Sequence, residues 1–217
     1  MRLPLSLALL CLASPAVLRA GPPLLSPATA IPDPAHNPAW NGLFSGLAPR
    51  ETRESFFEER RTFPFRRNPV VLTGEIRIAP GRGLSLHYLT PESRVLIVDG
   101  RGLLMRDDLG RDLPAPADAR AQAAITALVD ILRFDVAELQ RNFDVHGIRD
   151  GAAWTLAFVP RDKALAENLT ALIVSGDHDN VSAIELFTSP RQHIDIIVHG
   201  ARKNVAFTAG EWARYFR

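Results

Sequence analysis

Apolar and polar residues alternate along much of the chain, which is the period of a half-buried β-strand. The alternation is clearest between residues 54 and 105, where short segments are separated by turn sequences such as Pro80–Gly83 and Asp99–Gly100. Similar segments return near residues 154–158, 171–175, 181–187, 193–199 and 204–208. The pattern therefore predicts an antiparallel meander of short hairpins with one apolar face.

Two helical segments interrupt this meander. Apolar residues recur at helical spacing in Ala117–Arg133, and Asp135–Asn142 opens with the Asp and Glu138 spacing of a capping box. A short amphipathic helix is also predicted at Trp40–Leu47, and a helical turn at Glu211–Arg217. Because a one-faced sheet has to cover its apolar face, helices inserted between its strands are suitable covers. We therefore expect a mainly antiparallel β fold with α-helices, in which a curved sheet or incomplete barrel is closed by helices.

Residues 1–20, MRLPLSLALLCLASPAVLRA, have the layout of a secretory signal peptide. Arg2 precedes an apolar stretch, and small residues lead to a cleavage site at Ala20 or Ala16. A retained anchor, or a lipoprotein acylated at Cys11, is the alternative interpretation. Residues 21–39 are rich in Pro, Ala and Ser and are expected to form an extended tether without a core. Residues 40–217 are expected to form a single domain.

Composition and charge exclude several classes of protein. The 25 Lys and Arg residues nearly balance the 24 Asp and Glu residues, so no basic excess favours nucleic-acid binding. The single Cys excludes an intrachain disulfide and a Cys-based zinc site. With 47% hydrophobic and 23% charged residues, the chain can bury a core like an ordinary globular protein.

Few polar residues are spaced as a catalytic or metal site would require. His193, Asp195 and His199 share one face of a predicted strand, but the opposite face is aliphatic, so this polar set is expected to face water. The acidic turn at Asp177–Asp179 has too few regularly spaced oxygen ligands for calcium. The mixed charges of residues 58–61 are interpreted as a solvated face. No nucleophile elbow, phosphate loop or dinucleotide fingerprint is present, so we predict no catalytic residue, metal or cofactor.

The apolar face of the sheet is the remaining candidate site. Aliphatic alternation is the same whether the inner face meets a packed core or a cavity of lipid size. From the pattern alone a packed core is favoured, and a cavity stays open as the alternative.

Residues 55–105 resemble the LolA family of periplasmic lipoprotein carriers. The segments SFFEERRTFPF, LTGEIRIAPGRGLSLHYLTPES and RVLIVDGRGLLM follow the family's order of strands, including strand ends at Pro and at Asp-Gly. A helical stretch then interrupts the strands, and WTLAFVP looks like the strand that follows it in the family. The resemblance covers about Leu43 to Phe207, and the order and spacing of the motifs carry it.

This resemblance implies an unclosed antiparallel barrel with a helical lid over a hydrophobic cavity. It also implies a non-enzymatic monomer that takes acyl chains from an inner-membrane transporter to an outer-membrane acceptor, with lipoproteins or another lipid such as a glycolipid as cargo. The predicted lipid-binding residues are Phe56, Ile76, Ile78, Leu84, Leu86, Tyr88, Ile97, Ile125, Leu128, Leu132, Trp154, Leu156 and Phe158.

One position departs from the family pattern. Characterised carriers have an Arg before the strand-ending Pro, where it hydrogen-bonds to the lid, and here that position is Ala79. A weakly latched lid is therefore expected. The competing functional interpretation is a non-catalytic structural or interaction domain of the cell envelope with a packed core. A lipid hydrolase is disfavoured because no triad or metal set is visible.

Overall fold

The part of the chain that the structure describes contains one antiparallel sheet of 11 strands, in the order β6-β5-β4-β3-β2-β1-β11-β10-β9-β8-β7. The computed structural model describes residues 24–114, 119–189 and 191–217. The strands are β1 (Arg53–Thr62), β2 (Val70–Ala79), β3 (Gly83–Thr90), β4 (Arg94–Asp99), β5 (Gly102–Arg106), β6 (Asp112–Leu113), β7 (Phe143–Asp150), β8 (Ala153–Pro160), β9 (Ala171–Asp177), β10 (Asn180–Ser189) and β11 (Gln192–Lys203). The helices are α1 (Asn41–Leu47), α2 (Ala119–Arg133), α3 (Val136–Asn142), α4 (Lys163–Ala166) and α5 (Ala209–Tyr215).

The sheet is an unclosed barrel, as the sequence predicts. Its first and last strands, β1 and β11, pair in the middle of the sheet, and its two edges are β6 and β7. Since β6 and β7 are consecutive strands joined through α2 and α3, these helices lie in the connection between the two open edges. The result confirms a mainly antiparallel β fold in which α2 and α3 interrupt the meander between β6 and β7.

The inner face of the barrel holds the main core. Alternating residues of each strand point inward, such as Ile76 of β2, Leu84 of β3 and Leu156 of β8. The C-terminal half of α2 inserts between them, with Ile131 fully buried and Leu128 and Leu132 each 6% exposed. This half of α2 therefore covers the inner face of the sheet and packs into its core.

The N-terminal residues of the described chain also pack on the barrel. Leu43, Phe44 and Leu47 of α1 are buried in the main core. Before α1, Ile31 is 4% exposed, and its backbone N–H donates to Val145 on β7. This corrects the predicted tether for residues 24–39, because buried apolar side chains and a backbone hydrogen bond hold the segment against the barrel.

Two small features fix this docked segment on β7. Ala30 forms an isolated antiparallel bridge with His146. Trp40 packs on Gly147, where an added Cβ would lie 2.5 Å from its ring, so a side chain at that position would displace it. Arg149 also packs on this ring, with its guanidinium 4.9 Å from the ring centre.

The outer face of the barrel carries polar side chains together with some exposed apolar ones, and other segments cover part of it. Residues 204–217 cross β3, β4 and β5, and Phe207 and Phe216 pack there with Val95 and Ile97 of β4. This explains the unbroken apolar run of β4, which is buried on both faces. The predicted strand at residues 204–208 is wrong, because this segment leaves the sheet and leads into α5.

The ends of the helices agree with the capping signals of the sequence. The Asp135 carboxylate accepts from the N–H groups of Ala137 and Glu138 at 3.1 and 3.2 Å, which confirms a helix start there. Thr208 and Glu211 form a capping box at the start of α5, where the sequence predicts a helical turn. Within the described residues, no helix is long and apolar enough to cross a membrane. The predicted signal peptide and its cleavage sites lie outside the described residues.

Candidate functional site

A cavity of about 610 Å³ lies on the inner face at one end of the barrel. This end is formed by the β1–β2, β3–β4 and β10–β11 turns. The wall of the cavity is mostly aliphatic and consists of Leu72, Leu86, Tyr88, Leu96, Met105, Ile125, Leu128, Leu186, Ile194 and Ile196. Its rim carries Thr62, Phe63, Phe65, Pro91, Glu92, Arg94, Thr188, Gln192 and His193.

The rim is apolar and basic on the side of the β1–β2 loop. Phe63 and Phe65 stack there at 5.4 Å between ring centres, and Phe65 is 80% exposed. Arg66 and Arg67 follow in the same exposed loop. Across the rim, Arg94 pairs with Glu92 at 2.8 Å, and both side chains are exposed.

Three polar side chains interrupt the aliphatic wall. Glu59 and Arg61 of β1 face inward and form an ion pair through Nε of Arg61. The Tyr88 hydroxyl donates to the second Glu59 oxygen at 2.8 Å. Glu59 is only 2% exposed, whereas the Arg61 side chain is 37% exposed. We call these residues the inner polar cluster.

Burial and pairing fix the charge state of the inner polar cluster. Burial, reinforced by the neighbouring Glu59 carboxylate, raises the pKa of Tyr88 well above its usual value, so its hydroxyl stays a donor. Burial alone would lower the pKa of Arg61, but the Glu59 carboxylate outweighs this and raises it. The cluster therefore presents a permanent guanidinium at the side of an aliphatic cavity.

The structure brings together some of the side chains predicted to bind lipid. Leu86 and Tyr88 of β3 and Ile125 and Leu128 of α2 line the cavity. Others line a second space of about 60 Å³ at the opposite end of the barrel, namely Ile76, Ile78 and Leu132. A further group lies in the packed core away from both spaces and comprises Leu84, Trp154, Leu156 and Phe158.

Two of the predicted residues lie on the outer face of the barrel. Phe56 is 40% exposed and stacks on His199 at 6.0 Å between ring centres. Ile97 is fully buried under residues 204–217. Their neighbours Phe57 and Leu96 point inward, so the alternation of the strands places Phe56 and Ile97 away from the cavity.

Sequence reasoning missed several residues of the wall. Ile194 and Ile196 alternate inward on β11, and that pattern could have assigned them to the same face as Leu86. The solvated-face interpretation of residues 58–61 is wrong for Glu59, which is buried. Its parity with the inward-facing Phe57 was the available signal, but alternation does not reveal that a carboxylate will find two donors.

The position of Ala79 changes the expectation of a weakly latched lid. Ala79 is 2% exposed on the outer face, in one apolar cluster with Phe207 and Phe216. Arg77 lies on the same face, pairs with Glu54 and Glu75, and stacks under Tyr215 with its guanidinium 3.9 Å from the ring centre. Neither residue faces α2, so an Arg in place of Ala79 would meet residues 204–217 and would not latch that helix.

The histidine set of β11 lies on the outer face, as the alternation predicts. Nε2 of His193 lies 3.5 Å from Oδ2 of Asp195, and His199 stacks on Phe56. In the turn between β9 and β10, Asp179 is paired with Lys203. Among the described residues, no group of three or more His, Cys, Asp or Glu side chains is arranged to hold a metal ion.

Solved structures similar to this chain include those of three bacterial proteins. A LolA superfamily protein, NE2245 of Nitrosomonas europaea, shares 6% identity over 79% of this chain and 96% of its own, with a TM-score of 0.44. A putative outer membrane lipoprotein-sorting protein domain of Vibrio parahaemolyticus shares 9% identity over 79% and 93%, with a TM-score of 0.45. The MucA/MucB complex of Pseudomonas aeruginosa contains a chain with 20% identity over 79% and 58%, also with a TM-score of 0.45.

No protein-family model matches the chain, and no curated protein matches it significantly. One of the similar solved structures is of a LolA superfamily protein, and LolA is the family that the sequence resembles.

Proposed function

We propose that the protein is a non-enzymatic carrier that binds acyl chains in the cavity at the open end of the barrel. The observation that carries this proposal is the cavity itself, about 610 Å³ of space with an aliphatic wall inside an otherwise packed fold. Small-molecule sites in proteins have about 300–1,000 Å³ and mostly apolar linings with a few polar groups. The cavity fits this description in both size and lining.

The physical task of such a carrier is to shield an acyl chain from water. Each buried methylene favours leaving water by about 0.8 kcal/mol, so a chain of roughly 16 carbons resists crossing an aqueous space by about 12 kcal/mol. A carrier has to offset most of this free energy without exceeding it, because it must also release its cargo. A cavity lined by Leu86, Leu96 and Ile196 but opening between exposed turns suits both requirements.

The proposed setting is the periplasm. It rests on the predicted signal peptide of residues 1–20 and on the resemblance of residues 55–105 to lipoprotein carriers. In this setting the donor would be an inner-membrane transporter and the acceptor an outer-membrane protein. The cargo would be the acyl chains of a lipoprotein or of another lipid.

Mass spectrometry of organic extracts tests the carrier role. The full chain is expressed in a bacterium, purified from the periplasm without detergent and extracted, alongside a Leu86→Glu variant that places a charge on the cavity wall. We expect acyl lipid to co-purify with the wild type in near-stoichiometric amount and to be absent from the variant. A wild type without lipid that also binds no added fatty acid would contradict the carrier role and favour a structural domain.

A further inference from the structure

The inner polar cluster places a charged side chain where an acyl carrier needs none. A carboxylate next to an apolar cavity is costly unless it is paired and hydrogen-bonded. Glu59 meets this condition, because Arg61 and the Tyr88 hydroxyl both donate to it. An aliphatic residue at position 59 would line the cavity without any such requirement, so the ion pair points to a role beyond packing.

Arg61 is the member of this cluster that can reach a ligand. It lines the cavity and is 37% exposed, whereas Glu59 is almost fully buried. A guanidinium has five N–H donors, and the one on Nε is taken by Glu59. The terminal nitrogens carry the other four, and the guanidinium also contacts Tyr88. Their planar arrangement suits paired hydrogen bonds with a carboxylate or a phosphate.

The remainder of the wall sets the shape of the ligand. Elsewhere the cavity wall includes Leu72, Leu86, Met105 and Leu186, whose side chains form no hydrogen bonds of their own. A ligand that matches both the Arg61 guanidinium and the aliphatic wall has one anionic group and one long apolar chain. An acyl chain attached through neutral ester or amide groups would offer no anionic acceptor to the terminal N–H groups of Arg61.

We propose that Arg61 binds the anionic head group, a carboxylate or a phosphate, of an amphiphile whose acyl chain fills the cavity. Glu59 and Tyr88 act as positioning residues that hold the guanidinium against the cavity wall. This inference rests on the proposed carrier role and names the class of cargo, namely an anionic lipid.

The adjacent residue of β1 provides a matched control. Arg60 pairs with Glu58 through Nε at 2.7 Å, two residues apart as in the inner pair, but its side chain is 58% exposed on the outer face. Arg60→Gln removes the same charge from the same strand. It therefore separates the head-group role of Arg61 from any general effect of net charge or of strand β1.

The experiment measures the affinity of the full chain for palmitate, hexadecyl phosphate and hexadecanol by displacement of a fluorescent fatty acid. We expect Arg61→Gln to weaken binding of the two anions by about tenfold or more and to leave hexadecanol within about twofold, since one charge-assisted pair is lost. Arg60→Gln should leave all three affinities unchanged. Arg61→Lys, which keeps the charge but not the planar fork, should give an intermediate loss and replaces Arg61→Gln if that variant does not fold.

The possible outcomes separate the two proposals. If Arg61→Gln weakens the binding of palmitate and of hexadecanol equally, or changes neither affinity, the head-group assignment is overturned while the carrier role stands. If the wild type binds none of the three amphiphiles, the carrier role itself fails. If inorganic phosphate alone displaces the probe in an Arg61-dependent way while the amphiphiles do not, the site takes a free anion and the lipid assignment is overturned.

Discussion

The two ends of the barrel are built from the same strands but enclose very different spaces. Leu84 and Leu86 are two residues apart on the inner face of β3, and both are nearly fully buried. Leu86 lines the cavity of about 610 Å³, whereas only about 60 Å³ remains at the other end. The strands alone do not create this difference.

Segments outside the sheet create the difference. At the filled end, α1 contributes Leu43, Phe44 and Leu47, and α2 contributes Ile131 and Leu132. At the open end, Ile125 and Leu128 of α2 line the cavity, and the exposed β1–β2 loop forms part of the rim. An alternating strand thus provides an apolar wall, and the inserted helices determine whether that wall becomes a core or a binding site.

The largest expected contrast is between Leu84→Glu and Leu86→Glu. At position 84 the new carboxylate would be buried without a partner in the filled end, and we expect the free energy of unfolding to fall by more than about 4 kcal/mol. At position 86 water in the cavity can reach the carboxylate, so the fold should survive while fatty-acid binding is lost. Urea denaturation and fluorescent fatty-acid titration measure the two effects. Equal destabilisation at both positions would mean that the wall at Leu86 is packed as tightly as the core at Leu84.

A second pair of variants compares the cost of shortening an apolar side chain at each of the two ends. Phe44→Ala removes a side chain that is 1% exposed in the filled end and should cost about 3–5 kcal/mol. Ile125→Ala only enlarges a space that already exists, so it should cost less than about 1 kcal/mol, near the value for ordinary surface substitutions. Chemical denaturation of both variants gives the comparison. A costly Ile125→Ala would show that α2 is as tightly packed at the cavity as it is at Ile131.

The third prediction concerns the outer face at the filled end, where Asp99 holds Arg217. The Arg217 guanidinium donates to both Asp99 oxygens at 2.8 and 2.9 Å and holds the pKa of this carboxyl well below its usual 3.8. Because the folded pKa is depressed, the stabilisation is present above the usual pKa and is lost as the pH falls below it. Asp99→Asn should therefore reduce the free energy of unfolding by about 1 kcal/mol at neutral pH, with a smaller difference below about pH 4.

The same variant tests whether the two ends are independent. Lipid affinity should be unchanged in Asp99→Asn, because the ion pair lies on the outer face away from the cavity. Arg101, which also contacts Asp99 but is 64% exposed, offers the control. Arg101→Gln should have a smaller effect on stability than Arg217→Gln. An equal effect of the two Arg variants would contradict the importance of the partly buried pair.

The smallest expected effect is a local change in hydrogen exchange. We predict that residues 127–133 of α2 exchange as slowly as β3, since Ala127 and Ile131 are fully buried. Added fatty acid should slow exchange mainly in the part of α2 around Ile125. Mass spectrometry of exchanged peptides, with and without ligand, distinguishes these segments. Fast, ligand-sensitive exchange along the whole helix would contradict this prediction and show that all of α2 moves when the cavity is empty.

Much of the fold was predictable because its signals are local. The alternation of β2 and β3, the Asp-Gly turn at Asp99–Gly100 and the Asp135 cap each depend on a few neighbouring residues. The docking of residues 24–39 and the path of residues 204–208 were not predictable in this way. Both depend on contacts with strands far away along the chain, such as those of Ile31 with β7 and of Phe207 with the region around Val95.

The candidate site was predictable only in part, for a related reason. The pattern places Leu84, Leu86 and Tyr88 on one face, but it cannot tell which of them has a helix packed against it and which has open space. The same limit applies to Glu59, whose burial depends on donors from Arg61 and from Tyr88 of another strand. The side of the sheet on which a residue lies follows from its neighbours in the sequence. What packs against that side depends on the whole fold.

The length and the covering of the two edge strands, β6 and β7, bear on self-association. An open barrel exposes unpaired backbone N–H and C=O groups along its edge strands, and such edges can recruit strands from other molecules. Here β6 has only two residues, and β7 is partly covered by the bridge between Ala30 and His146. The N-terminal segment therefore occupies part of the longer edge, and its removal would expose the backbone groups of β7 there to pairing with another strand.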